Sequence, residues 1–207
     1  MAEPTIQDAT QLARNSYQLN PDGGTSKQVN TEGQRATYSA SVTAFTPVAT
    51  PTDFFNIFGS ATKEIHITRL EISGTTTSAV ETVHNIQIMK RSTAGTLGSA
   101  TLTALTVVPH DSADAAGTAI PSTVGTANYT TLGTLVGQVQ ARNLILSLAT
   151  FTATDFPVGN TLVFDFTNRN EKGIFLNNAS EQLAINLNTE TLVGTVKLDV
   201  NVTWTEE

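Results

Sequence analysis

Cysteine is absent from the 207 residues, which excludes disulfides, thiolate metal sites and the small secreted scaffolds that bridges hold together. Charge is scarce as well: 14% of residues are Asp, Glu, Lys or Arg, where about a quarter is usual. Basic residues are the scarcer kind, 11 against 18 acidic, for a net charge of −7. Lys90–Arg91 is their only adjacent pair. A chain that wraps nucleic acid needs clustered Lys and Arg, so no nucleic-acid partner is expected. No apolar run approaches the roughly 20 residues of a membrane span, and no charged-then-apolar leader opens the sequence, so a soluble chain with no membrane partner is expected. Aromatics make up 6%, with Trp204 the only tryptophan.

Threonine fills the space that charge leaves, 36 residues in all. It is β-branched and stiff at χ1, and it makes the exposed face of a sheet polar without ions. Such a surface suits extended contacts with other protein, because few ions must be stripped of water. The 39% hydrophobic fraction is enough for a core at this length.

The C-terminal segment states the fold class most directly. Val196, Leu198, Val200, Val202 and Trp204 fall on one parity, and Lys197, Asp199, Asn201, Thr203 and Thr205 on the other. That period of two predicts a strand with one buried and one wet face. Shorter runs repeat it: Thr37–Phe45, Phe54–Phe58, Ile65–Ser73, Val83–Arg91, Thr101–Val108, Leu132–Val139, Asn143–Leu148, Thr161–Thr167, Ile174–Leu176 and Leu183–Leu187. The parity slips between Ile67 and Leu70, which predicts a bulge near Arg69. The predicted core adds Leu183, Ile185, Leu187, Leu162, Phe164 and Phe166 to the C-terminal set. Pro109–Asn128 reads as one long connection without strand pattern, the kind that serves a function or packs as a loop. The expected fold is an all-β antiparallel sandwich over residues 36–207, most simply a jelly roll.

Residues 1–35 differ. They hold Pro4, Pro21 and Gly23–Gly24, and little that is apolar. The pattern predicts an extended arm with at most one short helix, Ile6–Tyr17, capped by Thr5 with Asp8 at N3. Its weak stripe includes Ile6 and Leu12. A segment this polar cannot fold alone, so it is either mobile or ordered against a neighbour. Ile6, Leu12 and Tyr17 are therefore candidate partner contacts.

Candidate chemistry is thin. His110-Asp111-Ser112 has the residue types of a hydrolase, but adjacent residues cannot converge as a triad does, and no Gly-x-Ser-x-Gly elbow exists. A turn in which Asp111 accepts backbone N–H bonds is the simpler reading, with His110 and Asp111 on a loop open to a partner. Asp111 and Asp114 could share a cation, though calcium sites collect more oxygens than this loop offers. His66 and His84 could face each other across strands but lack a carboxylate cluster. Asp53, Glu64, Asp165 and Glu171 stand at strand ends and read as loop-solvating acids rather than a glycosidase pair. Gly95-Thr96-Leu97-Gly98 reads as a turn, not a phosphate loop. No cofactor, metal or catalytic set is expected.

Several strings resemble a family of small virion proteins of tailed bacteriophages: Phe54-Phe55-Asn56-Ile57-Phe58-Gly59-Ser60, Ile67-Thr68-Arg69-Leu70-Glu71-Ile72-Ser73-Gly74, Met89-Lys90-Arg91-Ser92-Thr93, Pro109-His110-Asp111-Ser112, Leu132-Gly133-Thr134-Leu135-Val136-Gly137, Leu183-Ala184-Ile185-Asn186-Leu187-Asn188 and Val202-Thr203-Trp204-Thr205-Glu206-Glu207. The similarity runs from about residue 50 to the end. It implies a structural role in the virion and supplies no catalytic residue. The expectation is a capsid decoration (cement) protein, a homo-oligomer and most simply a trimer, in contact with the major capsid protein or another virion protein. A tail, fibre or spike module that recognises a host glycan or receptor is the alternative.

Overall fold

The computed structural model of the protein describes residues 35–78, 82–148, 159–167 and 173–207. Ile6, Leu12, Tyr17 and the expected helix lie outside these residues, as does Glu171. The chain divides after Ala36 into two units, the second being Thr37–Glu207.

The described residues are all-β, without a helix. The strands are β1 (Ala36–Phe45), β2 (Asp53–Phe58), β3 (Ile65–Thr76), β4 (Thr82–Arg91), β5 (Thr101–Ala104), β6 (Val108–Pro109), β7 (Ile120–Gly125), β8 (Leu135–Leu148), β9 (Leu162–Asp165), β10 (Ile174–Leu176), β11 (Gln182–Asn186) and β12 (Val196–Glu206). They form one sheet in the order β5-β7-β2-β11-β4-β8-β3-β12-β1-β6, with β9 and β10 pairing on β3. The pairing is mixed rather than purely antiparallel, because β8 meets β3 in parallel at Thr75–Ser147 and Thr76–Leu148. Strands β5 and β6 end the path on opposite sides, yet only three residues join Ala104 to Val108. Four Cα steps span at most about 14 Å, so the sheet curls until its two ends nearly meet.

The core sits inside that curl. All eleven residues expected there are buried, with Val202, Trp204 and Phe164 at 0% exposure. Buried with the inward parity of β12 are Ile86 and Ile88 of β4, Leu144 and Leu146 of β8, and Ile67 and Ile72 of β3. Tyr38 stacks on Trp204 at 6.0 Å between ring centroids. The expected bulge is present. Thr203 pairs with Arg69 and Trp204 with Ile67, which leaves Thr68 as the extra residue, its hydroxyl donating to Thr203 O at 3.0 Å.

Three sequence expectations are corrected. The Pro109–Asn128 connection contains β7, which escapes a search for alternation because Pro121, Ser122, Thr123 and Val124 are all buried, both faces being covered. Thr101–Val108 is not one strand; its ends belong to the two opposite margins of the sheet. Leu132–Val139 and Asn143–Leu148 join into the single strand β8, since Gln140–Arg142 keeps pairing with β4 and does not turn.

Leu187–Glu190 is a tight turn closed by Glu190 N–H to Leu187 O at 2.9 Å, with φ of 51° at Asn188 and 60° at Thr189. Left-handed backbone costs a non-glycine residue about 1–2 kcal/mol. Thr189→Gly is therefore expected to raise stability by about 0.5–1 kcal/mol after glycine's own entropic cost. A urea midpoint that falls instead would contradict this backbone geometry.

Candidate functional site

A catalytic or metal site would have to be built from the titratable side chains. Asp53 is 1% exposed and Arg91 3%. Arg91 Nε donates to Asp53 Oδ2 at 2.7 Å and a terminal guanidinium nitrogen to Oδ1 at 2.9 Å, a two-pronged pair. Arg91 also donates to Gly133 O, and Asn186 Nδ2 to Asp53 Oδ1. Asp53 thus solvates no loop, contrary to the expectation for a strand-end acid. It ties β2, β4 and β11 together beneath the segment that carries Gly133. Tyr129 lies in the same region, its hydroxyl accepting from Asn56 Nδ2 at 3.0 Å. Burial, then the Asp53 charge, pushes the Tyr129 phenol up to about 12, with Arg91 opposing. The stability it contributes is present below its unfolded value of 10.0 and is lost as pH rises through about 12.

Glu206 does a similar job elsewhere. Its Oε1 accepts from Trp204 Nε1 at 3.0 Å, Thr118 N at 2.8 Å and Ala119 N at 3.1 Å, and its Oε2 from Thr118 Oγ1 at 2.8 Å. Burial alone would raise its pKa; the bonds from Trp204, Ala119 and Thr118 together outweigh that and hold it below 4.5. Its contribution to stability is therefore full above the unfolded 4.5 and lost as pH falls through the lower folded value. An acid titration of Tm should lose this step in Glu206→Gln; an unchanged profile would show that the carboxylate does not anchor the loop.

The loop so anchored carries His110 and Asp111. Both are exposed, and the structure brings them together only as neighbours in a turn. His110 N donates to Thr37 O, and Asp111 Oδ1 accepts from Ala113 N at 2.9 Å, the turn expected from the sequence. His84 is buried, with Nδ1 at 3.0 Å from Glu190 Oε1 and Nε2 at 3.1 Å from Thr82 Oγ1. His66 is on β3, which does not adjoin β4, and stacks on Phe175 at 4.4 Å. The two histidines do not face each other across neighbouring strands. Asp165 accepts from Thr167 N and Oγ1, which hold its carboxyl below the usual range. No group of three or more His, Asp or Glu side chains able to hold a metal occurs among the described residues. Asn128, the first residue of the glycosylation-type triplet Asn128-Tyr129-Thr130, is spent on Thr50 O, Thr52 N and Thr52 Oγ1.

What remains open is a surface that sequence reasoning passed over. Among the described residues eight large hydrophobics are markedly exposed, and four of them, Leu132 (37%), Leu135 (51%), Val136 (61%) and Val139 (37%), fall within eight residues. Over Leu135–Arg142, β8 pairs only with β4, and the register slips there twice, leaving Val139 and Val136 as extra residues. Bulges of this kind stop another strand from simply extending an open edge. On the adjoining face Gln87 Nε2 donates to Asn85 Oδ1, and Asn85 Nδ2 to Asn143 Oδ1, a run of exposed amides across β4 and β8. The 27 residues Ala115–Ala141 carry no charge. Arg142, the first after them, donates to Val163 O and lies over the Phe164 ring at 5.2 Å, so its guanidinium is committed to β9. The signal available in the sequence was that uncharged run, not any motif.

No protein-family model matches the chain, and neither the curated proteins nor the solved structures contain a match.

Proposed function

We propose that this chain is a structural protein of a phage virion, most simply a capsid decoration protein: a jelly-roll sandwich whose copies, as a trimer, lie on the outside of the head against the major capsid protein. The observation that carries this reading is the exposed apolar stretch Leu132–Val139, inside a run without charge, with the amides of Asn85, Gln87 and Asn143 beyond it. It is a surface for protein contact, while the buried carboxylates serve as ties between strands. The proposal rests also on the resemblance of residues 50–207 to virion proteins, and it keeps residues 1–35 as an arm that orders against a neighbour. In the alternative reading, a host-binding tail, fibre or spike module, a glycan would lie in the shallow groove of about 190 Å³ between Ser41, Thr43, Glu71, Ser73, Asp199 and Asn201. That groove holds the carboxylates of Glu71 and Asp199 over an apolar floor of Val42, Ile72 and Val200, and offers no aromatic ring for a sugar to stack on.

Imaging particles with this protein labelled tests the proposal. Density repeated over the whole head is expected; label confined to the tail would replace the first reading with the second, and particles without the protein would overturn both. Deleting residues 1–35 should leave the β unit folded and weaken rebinding to particles stripped of the protein. Equal rebinding would assign the contact to the sandwich.

A further inference from the structure

The self-association proposed above leaves open which surface joins the copies, and we infer that it is the outer face of β4 with the first half of β8, the occupant being a second copy of this chain. Charge is the first argument. At −7 the chain repels itself wherever its surface is acidic. A copy approaching through Leu132–Ala141 brings the same uncharged stretch, so along it no like charges meet; the charge beside the amides is Glu190, whose carboxylate accepts from Asn85 N. Hydrogen bonding is the second. Asn85, Gln87 and Asn143 are amides, each with both donors and an acceptor, and an amide surface complements a copy of itself where a carboxylate surface cannot. Leu135, Val136 and Val139 supply exposed apolar surface farther along β8, and the amides lie beside Ala141–Asn143, so one contact can bury both.

The two bulges decide the form of the contact. Because Val136 and Val139 interrupt the regular ladder, copies meet through side chains and do not add strand upon strand. Growth by strand addition is thereby blocked, and an isologous contact of the same face on both copies gives a closed, finite assembly.

The test uses the full chain in solution, without particles, so it is independent of the virion reading on which the need for an oligomer rests. Mass photometry and sedimentation velocity are run from nanomolar to about 100 µM protein, a range that brackets micromolar affinity. The wild type should assemble within it, and Val136→Lys/Val139→Lys should weaken assembly at least ~10-fold by placing like charges at the contact. Val193→Lys, a control at a valine 50% exposed outside this face, should leave assembly unchanged. Hydrogen exchange of the unsubstituted chain gives a second readout that survives a variant that fails to fold: amides of Leu135–Ala141 should gain protection as concentration rises. A wild type monomeric throughout overturns the inference. So does an oligomer indifferent to the double substitution, or one protected elsewhere, and in those cases head localisation still decides the virion reading separately.

Discussion

Replacing Arg91 with alanine is expected to cost about 3–5 kcal/mol, because it leaves Asp53 charged, buried and short of its strongest partner. Asp53 has 1% of its surface exposed and would keep only the Asn186 amide and whatever water could enter. Arg91→Lys should recover part of the loss but not all of it. An ammonium cannot bond both carboxylate oxygens and Gly133 O in the fork the guanidinium makes. The discriminating variant is Asp53→Leu/Arg91→Met, which removes both charges and fills the space with apolar atoms. It should be more stable than Arg91→Ala alone, since replacing a buried pair is far less damaging than orphaning half of it. Urea unfolding of the three variants decides the matter. A loss under about 1 kcal/mol for Arg91→Ala would place water at Asp53 and make the pair a surface one.

Trp204→Ala should be as damaging, about 3–5 kcal/mol, as aromatic truncations in cores are. Trp204 is fully buried near the C-terminal end of β12, stacked on Tyr38, and the surroundings can collapse little because β12 is paired over its length with β3. Its indole N–H adds a bond to the Glu206 carboxylate, so Trp204→Phe separates two effects. Phenylalanine keeps most of the burial and loses that charged bond, an expected cost of about 1.5–3 kcal/mol. A thermal midpoint close to wild type for Trp204→Ala would mean that the indole is outside the core.

Both residues lie on strands visible in the sequence, but the sequence speaks differently about each. Trp204 is legible because β12 has one wet face: five apolar residues on one parity and polar ones on the other cannot be arranged otherwise in an extended chain. Arg91 and Asp53 are illegible because they stand 38 residues apart and lie on strands that do not touch, each bonded to opposite sides of β11. No local pattern marks a charge as buried; only the arrival of its partner does. The same reason hides the β4–β8 face. That Leu135, Val136 and Val139 are apolar is plain from the sequence, and apolar strand residues are ordinarily inward. Their exposure goes with the two register slips against β4 and with β8 pairing there only with β4 among the described residues, which are facts of pairing.

Composition and period two were thus sufficient to determine an all-β chain, the residues of its main core and the bulge at Thr68, because each depends on neighbours a few positions away. Tertiary structure alone decided that the sheet is mixed and curled, that β7 crosses the supposed loop, that Asp53 and Arg91 close on each other, and that one uncharged face stays open. Each of those depends on which distant strand comes alongside, and a strand's own residues state only which of its faces is wet.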